Sequence, residues 1–341
     1  MKAIFFCGHL SPFGWSTLQA TLNNQDLEAS TIVFASVERW MSFKVKLKRG
    51  KPLANRIRFR RDYKLRTQLA IQEIKAINPR TQVLFTEDAN DESIVRTLGT
   101  YEIILSAAFP QIFSNNFLQF ASDKAVNFHP SFLPRCRGAH PVYWTIAARE
   151  PFGGLSSHLL TDKLDAGKIL ARHKIVFNRD TIQYAHLYDM INQAVPSLLA
   201  ETLAVFQKQK KPPTLDAQIT SSFHRENQEE DQRIRWGEED FELISAKIRA
   251  GRAFCFLADL KRERLELFPP VSYQQFEVQQ NSRVKVISQQ GETIGIQCQL
   301  GLFYARFAIS HPKKNSVIHR LLRKIDRYFT RGRNIQGEYL T

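Results

Sequence analysis

Short apolar runs alternate with stretches of helical apolar spacing through the first two hundred residues. The runs Ala3–Cys7, Thr31–Ser36, Gln82–Thr86, Glu102–Ala107 and Ala125–His129 read as buried strands. Between them, Ser16–Leu22, Tyr63–Ile77, Glu92–Leu98 and Gln111–Phe120 read as helices. This alternation predicts a doubly wound, Rossmann-like α/β domain with a mostly parallel sheet. Ligands in such sheets sit beyond the carboxyl ends of the strands. Further on, His140–Ala148 reads as a helix, and "GLSSHLL" and "KILARHKIVF" as two strands paired antiparallel around a turn. A long helix is expected over Thr181–Gln209, where Leu187, Ile191, Val195, Leu198 and Leu203 fall near helical spacing. Pro196 lies inside it, where it would kink or split the helix.

The texture then changes. "KQKKPPTLD" breaks the helical pattern with two prolines, marking a linker over 211–232 between a domain at 1–210 and a smaller one at 233–341. After a helix at Asp240–Ala250, apolar and polar residues alternate between Gly turns, the pattern of a small antiparallel β-barrel-like domain. The stretch Asn315–Phe329 reads as an amphipathic basic helix whose apolar face packs on that barrel.

Composition narrows the class. Of 341 residues, 43% are hydrophobic, enough for a sizeable core, yet no window of 18 apolar residues suggests a membrane span. The start, "MKAIFFCGHL", lacks the long apolar core of a signal peptide and reads as a first strand. Cys7, Cys136, Cys255 and Cys298 show no metal-ligand spacing, which fits free thiols in a reducing cytoplasm. The formal net charge of +15 favours an anionic partner: a charged substrate, a nucleic acid or an acidic membrane surface. It is concentrated in Phe43–Arg66, where eleven Lys/Arg meet one Asp.

The chemistry sits where the fifth strand ends, in "NFHPSFLPRCRG" (Asn127–Gly138). Asn127 and His129 are two apart on a strand, so both side chains share a face. Asp165 follows in the Gly-containing turn of "TDKLDAGKIL". Asn and protonated His can donate to the oxyanion formed when an amine attacks a carbonyl, while Asp keeps the His cationic or accepts the amine proton through water. The plainer alternative is that strand-end Asn and His satisfy loop backbone.

"NFHPSFLPRCRGAHPVYW" followed by "DKLDAGKIL" resembles the formyltransferases that use 10-formyltetrahydrofolate. Their N-x-H pair, Ser-Leu-Leu-Pro-x-x-x-Gly loop and D-x-G turn are matched in order by Asn127, His129, Ser131, Leu133, Pro134, Gly138, Asp165 and Gly167. The resemblance covers about residues 1–210, and "RIRWGEEDFELISAKIRA" is similar to the start of the second domain of methionyl-tRNA and some amino-sugar formyltransferases. It implies formyl transfer from 10-formyltetrahydrofolate to a primary amine, with Asn127 and His129 polarising the formyl oxygen and Asp165 supporting proton transfer. It implies a folate slot near Phe109, Gln111, Ile112, Leu133, Pro134 and Asp162, and no metal. Departures concern the acceptor. "CGHLSPFGWS" is not the usual first loop of methionyl-tRNA formyltransferases, and the Pro-x-x-Trp of "PVYW" is closer to sugar formyltransferases.

The expected acceptor is methionyl-tRNA, on charge and two-domain layout. The alternatives are an amino group on a nucleotide-linked sugar, a catalytically idle RNA-binding protein on this fold, and a formate-releasing hydrolase. Arg135 and Arg137 are candidates for an acceptor phosphate, and Arg56 and Arg58, in what reads as a basic loop, for tRNA or a pyrophosphate. His158 either lines the site or is structural, His140 reads as a helix-start residue, and Cys136 is not needed as a nucleophile.

Overall fold

A computed structural model describes residues 1–39, 53–214, 218–251, 253–255, 264–275, 285–290, 292–298 and 301–309, with side chains from 60 in the second of these spans. The expected helix at Asn315–Phe329 and the first part of the basic run lie outside the described residues. The chain divides into two compact units. The first comprises Met1–Pro141, Phe152–Val176 and Leu187–Arg225, the second Val142–Pro151, Phe177–His186 and Glu226–Thr341.

The first unit is built on β1 (Lys2–Cys7), β2 (Glu28–Ala35), β3 (Gln82–Thr86), β4 (Ile103–Ala107), β5 (Ala125–His129), β7 (Gly153–Leu159) and β8 (Ile169–Ile175), in the order β3-β2-β1-β4-β5-β7-β8. The two-residue strands β6 (Arg137–Gly138) and β9 (Phe223–His224) form a separate parallel ladder. Strands β1 to β5 run parallel, and β7 and β8 close that side antiparallel. The near-continuous burial of β1, β2 and β4 is what a sheet covered on both faces requires. Phe6 anchors the core, meeting Phe109, Phe113 and Phe117 edge-on with centroids 5.3, 5.1 and 5.4 Å away.

The helices are α1 (Pro12–Leu22), α2 (Leu53–Ile77), α3 (Glu92–Thr97), α4 (Asn115–Ala121), α5 (Pro141–Ala147), α6 (Tyr184–Phe206), α7 (Glu229–Gln232) and α8 (Phe241–Ala250). α2 begins ten residues before the expected Tyr63, so the second half of the basic run is helix and not loop. Its arginines have good helix propensity, but their charge hides the apolar period. α6 runs through Pro196 without a break. Proline has no N–H for the carbonyl of Asn192, four residues back, and Ser16 Oγ donates to that carbonyl instead at 3.4 Å. Among the described residues, no helix is long and apolar enough to cross a membrane.

The second unit holds a five-stranded antiparallel sheet, β10 (Ala253–Cys255), β11 (Leu265–Gln275), β12 (Lys285–Gln290), β13 (Thr293–Cys298) and β14 (Gly301–Ile309), ordered β10-β11-β14-β13-β12. α8, capped by Asp240 accepting from Leu243 N–H at 2.6 Å, packs Phe241, Ile244 and Ile248 into a core with Leu267, Ile296 and Phe303. All four cysteines are free and buried.

Candidate active site

Asn127 and His129 stand at the carboxyl end of β5, on one face. In the β5–β7 pairing, Asn127 lies opposite His158 and His129 opposite Ser156. Cross-strand neighbours share a face, so His158 joins the pair that the sequence places there. The β7–β8 connection then folds back over this face and delivers Asp165.

Four side chains converge. His158 Nδ1 donates to the Leu159 carbonyl at 2.8 Å, which leaves Nε2, 3.3 Å from Asn127 Nδ2, to accept from that amide when it carries no proton. Asp165 Oδ1 lies 3.4 Å from His158 Nε2 and 3.6 Å from His129 Nδ1. Asp165 Oδ2 accepts from Gly138 N–H at 2.9 Å, and His129 Nε2 donates to the Cys136 carbonyl at 2.9 Å. His129, His158 and Asp165 are 5%, 1% and 8% exposed, so their charges are little screened.

Burial pushes the Asp165 carboxyl up, but His129 and His158 in their protonated forms, with the Gly138 N–H, overcome it and hold the group well below the usual carboxylate range. For His129, burial pushes down and Asp165 pushes up, and burial wins. From the sequence, Asp165 is expected either to keep His129 cationic or to accept the amine proton through water. The carboxylate acts in the first direction, but desolvation outweighs it and the resting ring is held towards its neutral form. With Nε2–H directed at Cys136, Nδ1 carries the free lone pair.

The loops that bring these groups together use unusual backbone. Cys136 and Asp165 have φ of 52° and 51°, a left-handed region that costs about 1 kcal/mol or more for residues other than glycine. Gly138 and Gly167 are glycine for steric reasons. A Cβ would come 2.1 Å from the His224 carbonyl oxygen at the first and 1.8 Å from the Leu159 carbonyl oxygen at the second.

Beside Asp165 opens a cavity of about 290 Å³ whose walls include Leu133, Pro134, Arg137, Lys168 and Pro212. Three residues expected at the ligand site, Leu133, Pro134 and Arg137, are therefore brought together with Asp165. Others are not among its walls. Phe109 packs in the aromatic core on Phe6, and Gln111 is tied to Asp88 and to Ala89 N–H. Ile112 and Asp162 are exposed, and the Arg135 guanidinium lies over the Phe152 ring at 5.7 Å. Arg56 and Arg58 fall in the first turns of α2, with side chains outside the described residues. From the sequence alone His158 is open between lining the site and a structural role, and nothing singles out Lys168. The strand pairing would have found the former, and position just after the D-x-G turn the latter.

Comparison with known proteins bears on this geometry. The family described as formyl transferase matches residues 18–203. Methionyl-tRNA formyltransferase of Syntrophus aciditrophicus is 29% identical over 194 residues, 56% of this chain and 61% of the relative. That of Halalkalibacterium halodurans is 29% identical over 151 residues, 44% of this chain and 45% of the relative. The chain thus spans about half the length of the relatives it matches. Among solved structures, the N-formyltransferase from Helicobacter canadensis, in complex with folinic acid and dTDP-3-aminofucose, shares the fold with TM-score 0.57 at 14% identity, over 90% of this chain and 99% of that one. HypX from Aquifex aeolicus, in complex with tetrahydrofolic acid, gives TM-score 0.56 at 16% identity, over 95% of this chain and 47% of that one.

Proposed function

We propose that this chain, which belongs to the formyl transferase family, transfers a formyl group from 10-formyltetrahydrofolate to a primary amine. The observation that carries the reading is the convergence of Asn127, His129 and Asp165 with His158 at the end of β5. The amine nitrogen attacks the formyl carbon and the carbonyl oxygen becomes an oxyanion. One N–H of the Asn127 amide serves His158, and the other polarises that oxygen. The attacking amine loses a proton to His129 Nδ1, and Asp165 stabilises the imidazolium 3.6 Å away. Collapse of the intermediate breaks the bond to N10 of the folate, which leaves with the proton. Phe109, Gln111, Ile112 and Asp162 contact the donor in this reading, with Leu133 and Pro134 at the border between the donor and the cavity beside Asp165.

The leading acceptor is methionyl-tRNA, supported by the relatives of that name and by the basic run, with Arg56, Arg58, Arg135 and Arg137 meeting acceptor phosphates. An amino-sugar nucleotide is the second reading, favoured by the Pro-x-x-Trp of "PVYW" at Pro141–Trp144. A transfer assay with formyl-labelled donor, run against charged tRNA and against amino-sugar nucleotides, tests both. Label in neither pool, with tetrahydrofolate still bound, would sink the transfer reaction.

A further inference from the structure

We propose that the cavity beside Asp165 is an anion subsite that holds a phosphate of the acceptor, with Arg137 and Lys168 as its cations. The proposal deepens the formyl-transfer reading and takes from it only that an acceptor enters this site.

Arg137 is built for such a task. Its Nε and Nη2 donate to the Leu164 carbonyl at 3.2 and 2.7 Å, and its guanidinium lies 5.9 Å from the Phe223 ring centroid. These contacts fix the plane of the group and use two of its five N–H donors. No acidic side chain among the described residues forms an ion pair with Arg137 or Lys168 within 4.0 Å. Both line the cavity. The carboxylate in the same wall, Asp165, already has the Gly138 N–H and two histidines as partners.

The remaining walls raise the value of those charges. Leu133, Pro134, Ile169 and the pair Pro212–Pro213 present apolar surface. Cations set beside apolar walls focus the field on what enters between them. The cavity is also preformed. Arg172 donates through Nη1 to the Leu133 carbonyl at 3.0 Å and through Nη2 to the Thr214 carbonyl at 3.1 Å. One guanidinium, stacked 4.5 Å from the Phe132 ring, thereby fastens the Leu133–Pro134 wall and the chain beside the Pro212–Pro213 wall. A planar fork that needs no reordering is suited to phosphate oxygens.

An RNA backbone and a nucleotide sugar both present phosphate, so the subsite serves either acceptor chemistry and the test separates them. The full chain is titrated with inorganic pyrophosphate by calorimetry at low salt, as wild type and as Lys168→Gln, Lys168→Glu and Arg137→Lys. Lys124→Gln, whose ammonium lies over the Tyr101 ring, is the control for general charge. Lys168 is exposed, so its substitution should leave the fold intact. We expect Lys168→Gln and Arg137→Lys each to weaken pyrophosphate binding about tenfold, Lys168→Glu to abolish it, and Lys124→Gln to leave it unchanged. Parallel titrations with dTDP and with a short single-stranded RNA identify the source, as the one whose binding falls with Lys168→Gln. Equal pyrophosphate affinity in wild type and Lys168→Gln overturns the proposal. So does inhibition by pyrophosphate that is competitive against 10-formyltetrahydrofolate and not against the amine, which would give the cavity to the donor's carboxylate tail. Calorimetry needs no turnover, so absence of transfer with intact pyrophosphate binding would remove the reaction and keep the subsite.

Discussion

Asp165→Asn isolates the charge of the buried carboxylate from its shape. In the proposed reaction an imidazolium forms on His129 as the amine proton arrives, and Asp165 Oδ1 is 3.6 Å from Nδ1. With an effective dielectric near 20, attraction at that distance is about 5 kcal/mol. Water drawn in around the amide lowers this, so it is a ceiling. Losing most of it slows the chemical step ~10³-fold. The amide oxygen can still accept from Gly138 N–H, as Oδ2 does at 2.9 Å, so the loop should hold its place. The pH dependence adds a second signature. Asp165 raises the His129 pKa against burial, so its neutralisation lets that pKa fall further. The acid limb of the rate profile should then move to lower pH while the plateau drops. Single-turnover transfer of labelled formyl, with tetrahydrofolate binding measured alongside, reads both. A variant that keeps more than a tenth of the wild-type rate, binding intact, would refute the argument.

Three further perturbations follow from other contacts. His9 is buried, with its pKa lowered to about 4 by burial first and by Arg66 second. The unfolded chain titrates this His near 6.5 and so binds more protons between pH 4 and 6.5. Stability should therefore rise by about 3 kcal/mol as pH climbs through that window, and His9→Gln should flatten that part of the curve in denaturant melts. His158→Phe removes the acceptor that turns the Asn127 amide, so kcat should fall ~10-fold or more with folate affinity unchanged; unaltered kcat would make His158 structural. Ser16→Ala should cost about 1 kcal/mol in wild type, because it leaves the Asn192 carbonyl without its hydroxyl donor, and much less in a Pro196→Ala background, where a backbone N–H returns; equal costs in a double-mutant cycle would refute the pairing.

What the sequence revealed and what it concealed divide along physical lines. The parallel strands were legible because burial on both faces demands unbroken apolar runs such as Ala3–Cys7 and Ile103–Ala107. The order of Asn127, His129 and Asp165 was legible as a motif. The start of α4 was misplaced at Gln111, because the stretch before Asn115 is apolar yet not helical. Ser114 caps the helix by accepting from Phe117 N–H at 3.3 Å, and Gln111 is spent on the Asp88–Ala89 loop. The helical half of the basic run was hidden by its own charge. The place of His158 depended on strand register, which one sequence does not state.

The same dependence on tertiary structure explains why one carboxylate can serve both the architecture and the chemistry here. Asp165 binds the Gly138 N–H with one oxygen and faces two imidazoles with the other, so the turn after β7 and the loop after β5 are fastened at the point of the charge. Arg137 is adjacent to Gly138 and reaches back to Leu164, adjacent to Asp165, so the two loops are cross-linked twice in opposite senses. These cross-links also help to hold the left-handed backbone at Cys136 and Asp165. A substitution that cuts one strand of this cross-link should disturb the cation of the proposed anion subsite and the carboxylate of the proposed proton relay together. A purely electrostatic change at Lys168, outside the cross-link, should disturb only the former.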